Sequence, residues 1–393
     1  MTNTATEINS STGVSEAATP SVTNTDTAAI ASPPATITFA DFGLDPKIQK
    51  AVLEQGYNTP TPIQAQSIPH VLAGSDLMGA AQTGTGKTAA FVLPIIQKIL
   101  RHASNSASPA RHPIRALVLT PTRELAVQVA ENAASYSKHT DLRAAVVYGG
   151  VDMKEQVGIL RNGVEILIAT PGRLLDHIGS KVANLSQVEI LVLDEADRML
   201  DMGFLPDLQR IIDLIPAQRQ TLLFSATFSP EIKKLAQSYL RTPVTVEVAR
   251  QNAAADTVKQ VVHMVASADK QQAIVKVLEA RTRQGLSRQC IIFTNSRLGC
   301  ARLARSLERD GIKAGAIHGD KSQGERTLTL DAFKSGAIEA LVATDVAARG
   351  LDIPSMPCVI NHELPFNAED FIHRIGRTGR AGSKGDAIAL VDD

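Results

Sequence analysis

From Ile37 onward the chain alternates short apolar runs with longer amphipathic stretches. Leu77–Ala80, Ile114–Leu119, Ala144–Val147, Glu165–Ala169, Ile190–Leu193 and Thr221–Phe224 read as strands. Strands alternating with helices predict a parallel sheet covered by helices on both faces. The polar stretch from Val248 to Asp256 interrupts the pattern. A second series then follows, with strands near Gln289–Phe293, Lys313–Ile317, Ala340–Ala343, Cys358–Asn361 and Asp386–Val391. The expected organisation is an α/β domain over 37–247, a linker over 248–258 and a second α/β domain over 259–393. Residues 1–36 are rich in Ser, Thr and Ala, show no apolar period and read as a disordered leader. In such folds function lies at the carboxyl ends of the strands, here in the cleft where the two halves face each other.

Composition narrows the class without naming a function. A length of 393 residues suits two core-bearing domains, and 44% hydrophobic content suits globular folding. The apolar run Ala89–Ile96 is too short to span a bilayer, and the first residues lack the pattern of a secretory signal. Cys290, Cys300 and Cys358 are scattered, which suits a reducing cytosol and a cytoplasmic protein. The nine His form no metal-ligand spacing with them, so no structural zinc site is expected. Net charge is zero, but Glu7, Glu16 and Asp26 stand in the leader without any Lys or Arg, leaving a mild positive excess on the rest. A nucleic-acid contact would therefore be a local groove, not a strongly basic surface.

Two motifs carry chemistry. Ala81-Gln82-Thr83-Gly84-Thr85-Gly86-Lys87-Thr88 follows a strand and precedes an apolar helix. Glycines let backbone N–H groups approach phosphate, and the helix N-terminus favours negative charge. Lys87 is placed to reach the β- and γ-phosphates, and the Thr88 hydroxyl to bind Mg²⁺. Ala81 stands where the generic phosphate loop has Gly. The run Val188–Leu193 ends in Asp194-Glu195-Ala196-Asp197. Asp194 is the expected magnesium anchor and Glu195 the acid that activates water. Asp197 reads equally as a helix cap, a partner for a base or a link to other motifs. In the second half, His373-Arg374-Ile375-Gly376-Arg377-Thr378-Gly379-Arg380 places Arg377 and Arg380 three residues apart, on one turn if that segment is helical. They are candidates for arginines delivered to the γ-phosphate.

Together these residues resemble the DEAD-box group of superfamily 2 RNA helicases, from about Phe39 to Val391, and most of all its bacterial RhlE-type members. The resemblance implies two tandem RecA-like domains that close on ATP, Mg²⁺ and single-stranded RNA, separating short duplexes without reading sequence. It implies adenine recognition by Phe39, Tyr57 and Gln64, with the last two in Gly56-Tyr57-Asn58-Thr59-Pro60-Thr61-Pro62-Ile63-Gln64. It adds Thr83, Gly84, Thr85 and Gly86 to the phosphate site, and Gly350 and Asp352 to the ribose site. His373, Arg377 and Arg380 fall on the family's last catalytic motif. RNA-facing positions implied by the resemblance are Pro121, Thr122, Arg123, Gly150, Thr170, Gly172 and Arg173 in the first domain. In the second they are Thr294, Gln323, Arg326 and Thr344. Asp197, Ser225 and Thr227 match the positions that couple hydrolysis to strand separation. The family's second domain usually has another helix after the strand that here ends at Val391. A DNA-directed relative and a non-catalytic RNA clamp remain the alternatives; intact Lys87, Glu195 and Arg377 weigh against the clamp.

Overall fold

A computed structural model describes residues 37–81, 84–248, 258–348, 356–379 and 384–392. The leader and nearly all of the expected linker lie outside these residues. So do Thr83, Gly350, Asp352 and Arg380.

The first sheet has seven parallel strands: β1 (Leu77–Ala80), β2 (Ala116–Leu119), β3 (Ala144–Val147), β4 (Ile166–Ala169), β5 (Ile190–Leu193), β6 (Gln220–Ser225) and β7 (Val244–Glu247). Their order is β3-β4-β2-β5-β6-β1-β7. The central strands β2, β4 and β5 are buried along their whole length, which their uninterrupted aliphatic sequences allow. One face packs on the helices Lys87–Ile99 and Arg123–Ser137 through Phe91, Leu93, Ile95 and Val129. The other packs through Leu174, Met199, Leu208 and Ile211.

The second sheet has six parallel strands, β8 (Val258–Met264), β9 (Cys290–Thr294), β10 (Ala314–Ile317), β11 (Ala340–Thr344), β12 (Cys358–Asn361) and β13 (Gly385–Val391), ordered β10-β11-β9-β12-β13-β8. Its faces pack on the helices Lys270–Arg283 and Arg297–Arg309 and on the helix Gln323–Lys334. Val258, expected as the end of the linker, opens β8. Strands β7 and β8 are additions to the sequence reading. Both are sheet edges, and their mixed sequences Val-Thr-Val-Glu and Val-Lys-Gln-Val-Val-His-Met lack a strand-length apolar run.

Candidate active site and RNA-facing edge

The phosphate loop follows β1. Gly84 and Gly86 hold φ values of 85° and 94°, a region that favours glycine. A Cβ on Gly86 would stand 2.4 Å from Gln64 Nε2, so the loop also needs glycine there for space. The helix Lys87–Ile99 starts directly after Gly86 with no side-chain cap, leaving its first N–H groups for an anion. Lys87 is only 6% exposed, and its Nζ has no hydrogen-bond partner among the described residues. A buried ammonium without a partner is costly, so the pocket fits an anionic group. Thr88 is half-buried beside it.

Strand β5 carries the carboxylates into the same cleft. Asp194 is buried, and burial pushes its carboxyl up to about 7 even though the Lys87 charge opposes the shift. An oxygen-seeking divalent cation beside Asp194 and the Thr88 hydroxyl would favour the ionised form, so these two residues fit Mg²⁺. Among the described residues no three His, Cys, Asp or Glu side chains cluster as a metal site, so such an ion would take its other ligands from water and phosphate. Glu195 adopts a left-handed backbone, φ 53° and ψ 51°, at the start of the helix Ala196–Asp201. Its N–H donates to Asp194 Oδ1 at 3.0 Å. Burial pushes the Glu195 carboxyl up, but Arg198, Lys87, Arg377 and His373 together outweigh it and leave it below the usual range. Arg198, which sequence reasoning passed over, places Nη1 3.4 Å from Glu195 Oε2.

Asp197 lines the same cleft and binds backbone N–H groups. Its Oδ2 accepts from the Ala226 N–H at 3.0 Å and its Oδ1 from the Arg198 N–H at 3.0 Å. The Ser225 hydroxyl donates to the Thr227 carbonyl at 2.7 Å, closing the loop that Asp197 grips.

On the adenine side, Gln64 is 5% exposed and already engaged. Its Oε1 accepts from the Thr61 N–H at 2.8 Å, and its Nε2 donates to the Gly86 carbonyl at 3.1 Å. One amide hydrogen and one lone pair remain, the set that adenine N7 and N6 require. Of the two aromatic residues expected at the adenine, the structure leaves one open. Phe39 is 5% exposed and belongs to the core, edge-on to Phe42 and stacked at 6.4 Å on Tyr57. Tyr57, 37% exposed, is the open ring of this cluster.

The second domain lines the opposite wall with His373 and Arg377, facing Lys87, Glu195 and Arg198. The condition for a shared helical turn of the arginines is not met at Arg377, and Arg380 lies outside the described residues. The helix Ala368–Ile375 stops at Gly376, and Arg377 sits in the following turn, its carbonyl accepting from the Met356 N–H at 2.9 Å. Arg374, another residue the sequence reading missed, is 1% exposed. Its guanidinium bonds Asp345 twice, at 2.7 and 2.6 Å, and reaches Asn361, Asn295 and the Glu363 carbonyl. It also lies over the Phe293 ring. This one side chain joins the ends of β9, β11 and β12 to the segment that carries Arg377.

The positions expected to face RNA follow the carboxyl ends of β2, β3, β4, β9, β10 and β11, as parallel topology requires. Pro121, Thr122, Thr170 and Thr344 are buried there, while Gly150 and Gly172 are exposed and Arg123 and Arg173 half-buried. Arg123 packs against Gly150, where a Cβ would come within 2.1 Å of its guanidinium. Thr294 is fully buried and its hydroxyl donates to the Ser296 carbonyl. Gln323 and Arg326 engage the first domain: Arg326 pairs with Glu124 at 2.7 Å, and Gln323 Nε2 donates to the same oxygen at 3.3 Å.

Comparison with known proteins agrees with this layout. Residues 61–235 match the family DEAD/DEAH box helicase, and residues 269–382 match the helicase conserved C-terminal domain. The ATP-dependent RNA helicase DBP2 of Eremothecium gossypii is 45% identical over 91% of this chain and 63% of its own length. The DEAD-box ATP-dependent RNA helicase RhpA of Helicobacter pylori is 42% identical over 90% of this chain and 69% of its own. The chain thus spans less than two thirds of the DBP2 relative. Among solved structures, S. cerevisiae Dbp5 bound to RNA and ADP BeF3 is 31% identical and covers 91% of this chain and 90% of its own, with a TM-score of 0.77. The two parallel sheets are accordingly tandem RecA-like domains, and the chain belongs to the DEAD-box RNA helicase family.

Proposed function

We propose that this protein is an RNA-stimulated ATPase that locally unwinds RNA duplexes and remodels RNA–protein complexes. The observation that carries this is a buried, unpartnered Lys87 ammonium in one cleft with Glu195 from the same domain and Arg377 from the other. ATP binds with its phosphates against the uncapped helix N-terminus at Lys87 and its adenine on the remaining amide valences of Gln64. Tyr57 adds ring contact. Mg²⁺, when bound at Thr88 and Asp194, supplies charge neutralisation on the phosphates. Glu195, kept ionised by the cations around it, orients the attacking water and accepts its proton. Arg377 and His373 approach the γ-phosphate from the second domain, so the site is complete only when the two domains meet.

RNA lies across the carboxyl strand edges, held by Thr122, Arg123, Gly150, Thr170, Gly172, Arg173 and Thr344 through backbone contacts that carry no sequence information. The Asp197–Ala226 bond transmits the state of the nucleotide to the Ser225–Thr227 loop. The motif details favour an RhlE-type enzyme, and the scattered cysteines Cys290, Cys300 and Cys358 favour a cytoplasmic one. Among the described residues no helix is long and apolar enough to cross a membrane. The test is phosphate release with RNA and with DNA of equal sequence. Preferential stimulation by RNA is expected; equal stimulation by DNA would overturn the RNA assignment.

A further inference from the structure

The net positive charge of the folded part sits in its second half. Over 37–247, 20 Lys and Arg balance 20 Asp and Glu, whereas over 259–393 there are 19 against 16. The helix Arg297–Arg309 concentrates the excess. Its inner face, Cys300, Leu303, Ala304 and Leu307, is buried in the core. Its outer face exposes Arg302, Arg305 and Arg309 at spacings of three and four residues, which align on one stripe. Nearby basic residues are paired, Arg297 with Asp320 at 2.7 Å and Arg288 with Glu339 at 3.7 Å. Arg302, Arg305 and Arg309 have no carboxylate partner among the described residues; Arg309 bonds only the Arg305 carbonyl and the Ser306 hydroxyl. Like charges one turn apart destabilise a helix, so the stripe costs stability unless a polyanion covers it.

Position favours one polyanion. The helix begins at the end of β9, just past Thr294, on the strand edge where the proposed function places RNA. The stripe then leads away from that edge along the flank. At 1.5 Å rise per residue, Arg302 to Arg309 spans about 10 Å, room for two or three phosphates. Resting on the helicase reading, we propose that Arg302, Arg305 and Arg309 form an auxiliary RNA-backbone surface outside the interdomain groove. It holds a strand or duplex arm by charge alone.

The test compares the full chain with a triple Arg302→Gln, Arg305→Gln, Arg309→Gln variant and a triple Arg→Lys variant. Binding is measured against salt with a short single strand that fills only the groove and with a longer RNA bearing a duplex arm. On the long RNA the Gln variant should bind about tenfold more weakly, with a log–log salt slope shallower by about 2, from about 0.7 per single-strand phosphate. The Lys variant should keep the wild-type slope. On the short RNA all three should bind alike and hydrolyse ATP at one rate. Unchanged binding of the long RNA by the Gln variant, or equal losses on both RNAs, would overturn the proposal. Absence of RNA-stimulated hydrolysis in the unmodified chain would instead overturn the helicase reading itself.

Discussion

The Arg326 guanidinium lies 2.7 Å from the Glu124 carboxylate and so ties the second domain to the first at the carboxyl ends of their strands. Both side chains are nearly buried, at 11% and 10% exposure, which makes the pair less screened than a surface bridge. Removing one partner strands the other. Glu124→Gln should therefore lower RNA-stimulated hydrolysis about tenfold or more while leaving ATP affinity in the absence of RNA intact. Nucleotide titration beside RNA-saturated turnover measures both quantities; a matched fall in ATP affinity would contradict the assignment of this pair to domain closure.

Asp197 predicts a separation of activities. Its carboxylate accepts from the Ala226 N–H and the Arg198 N–H. Asp197→Ala leaves that N–H without its partner, at a cost of about 1–3 kcal/mol in the loop. Duplex unwinding per ATP hydrolysed should fall several-fold, whereas Asp197→Asn, which keeps an acceptor oxygen, should retain more of it. Simultaneous strand-displacement and phosphate-release assays decide this.

Arg374 predicts a stability defect. Its buried guanidinium satisfies Asp345, Asn295, Asn361 and the Glu363 carbonyl at once. Arg374→Ala leaves the Asp345 carboxylate without this partner and should cost about 3–5 kcal/mol. Denaturant unfolding monitored in the second domain would show the loss, and a change within error would refute the structural role given to Arg374.

The raised Asp194 carboxyl fixes a pH dependence for the protein free of nucleotide and metal. The unfolded group titrates near 3.8 and the folded one at about 7, so within that window the folded state binds more protons. Stability should fall as pH rises from 4 to 7 and level above it. The depressed Glu195 carboxyl acts in the opposite sense, stabilising above its unfolded value of 4.5 and losing that contribution as pH falls further. Asp194→Asn should flatten the slope between pH 5 and 7 in thermal unfolding. An unaltered slope would assign it to another group.

The sheet centres and the nucleotide motifs were legible because their physics is local. An uninterrupted run such as Ile190–Leu193, rich in β-branched residues and set in an alternating α/β pattern, reads as a buried strand, and the carboxylates after it then stand at the carboxyl end of the sheet. The edge strands β3 and β10 were legible, but β8 escaped because it is largely exposed and so mixes Lys, Gln and His with Val. Arg374 escaped for the opposite reason: a basic residue in a charged string reads as surface, and only tertiary structure supplies its acceptors. The helix end at Gly376 had a signal, a glycine following an amphipathic turn, that the spacing of Arg377 and Arg380 obscured. Phe39 shows the limit of a transferred role, since burial against Tyr57 takes up the face that stacking would need.

The most direct measurement is single-turnover ATP hydrolysis on single-stranded RNA by the unmodified protein and by Glu195→Gln. The substitution removes the base but keeps the side-chain length, so ATP and RNA should still bind. Hydrolysis should fall by about 10²-fold or more, as expected on loss of a positioned base. Hydrolysis at the unmodified rate would contradict the account that Glu195, in the cleft between Lys87 and Arg377, activates the attacking water.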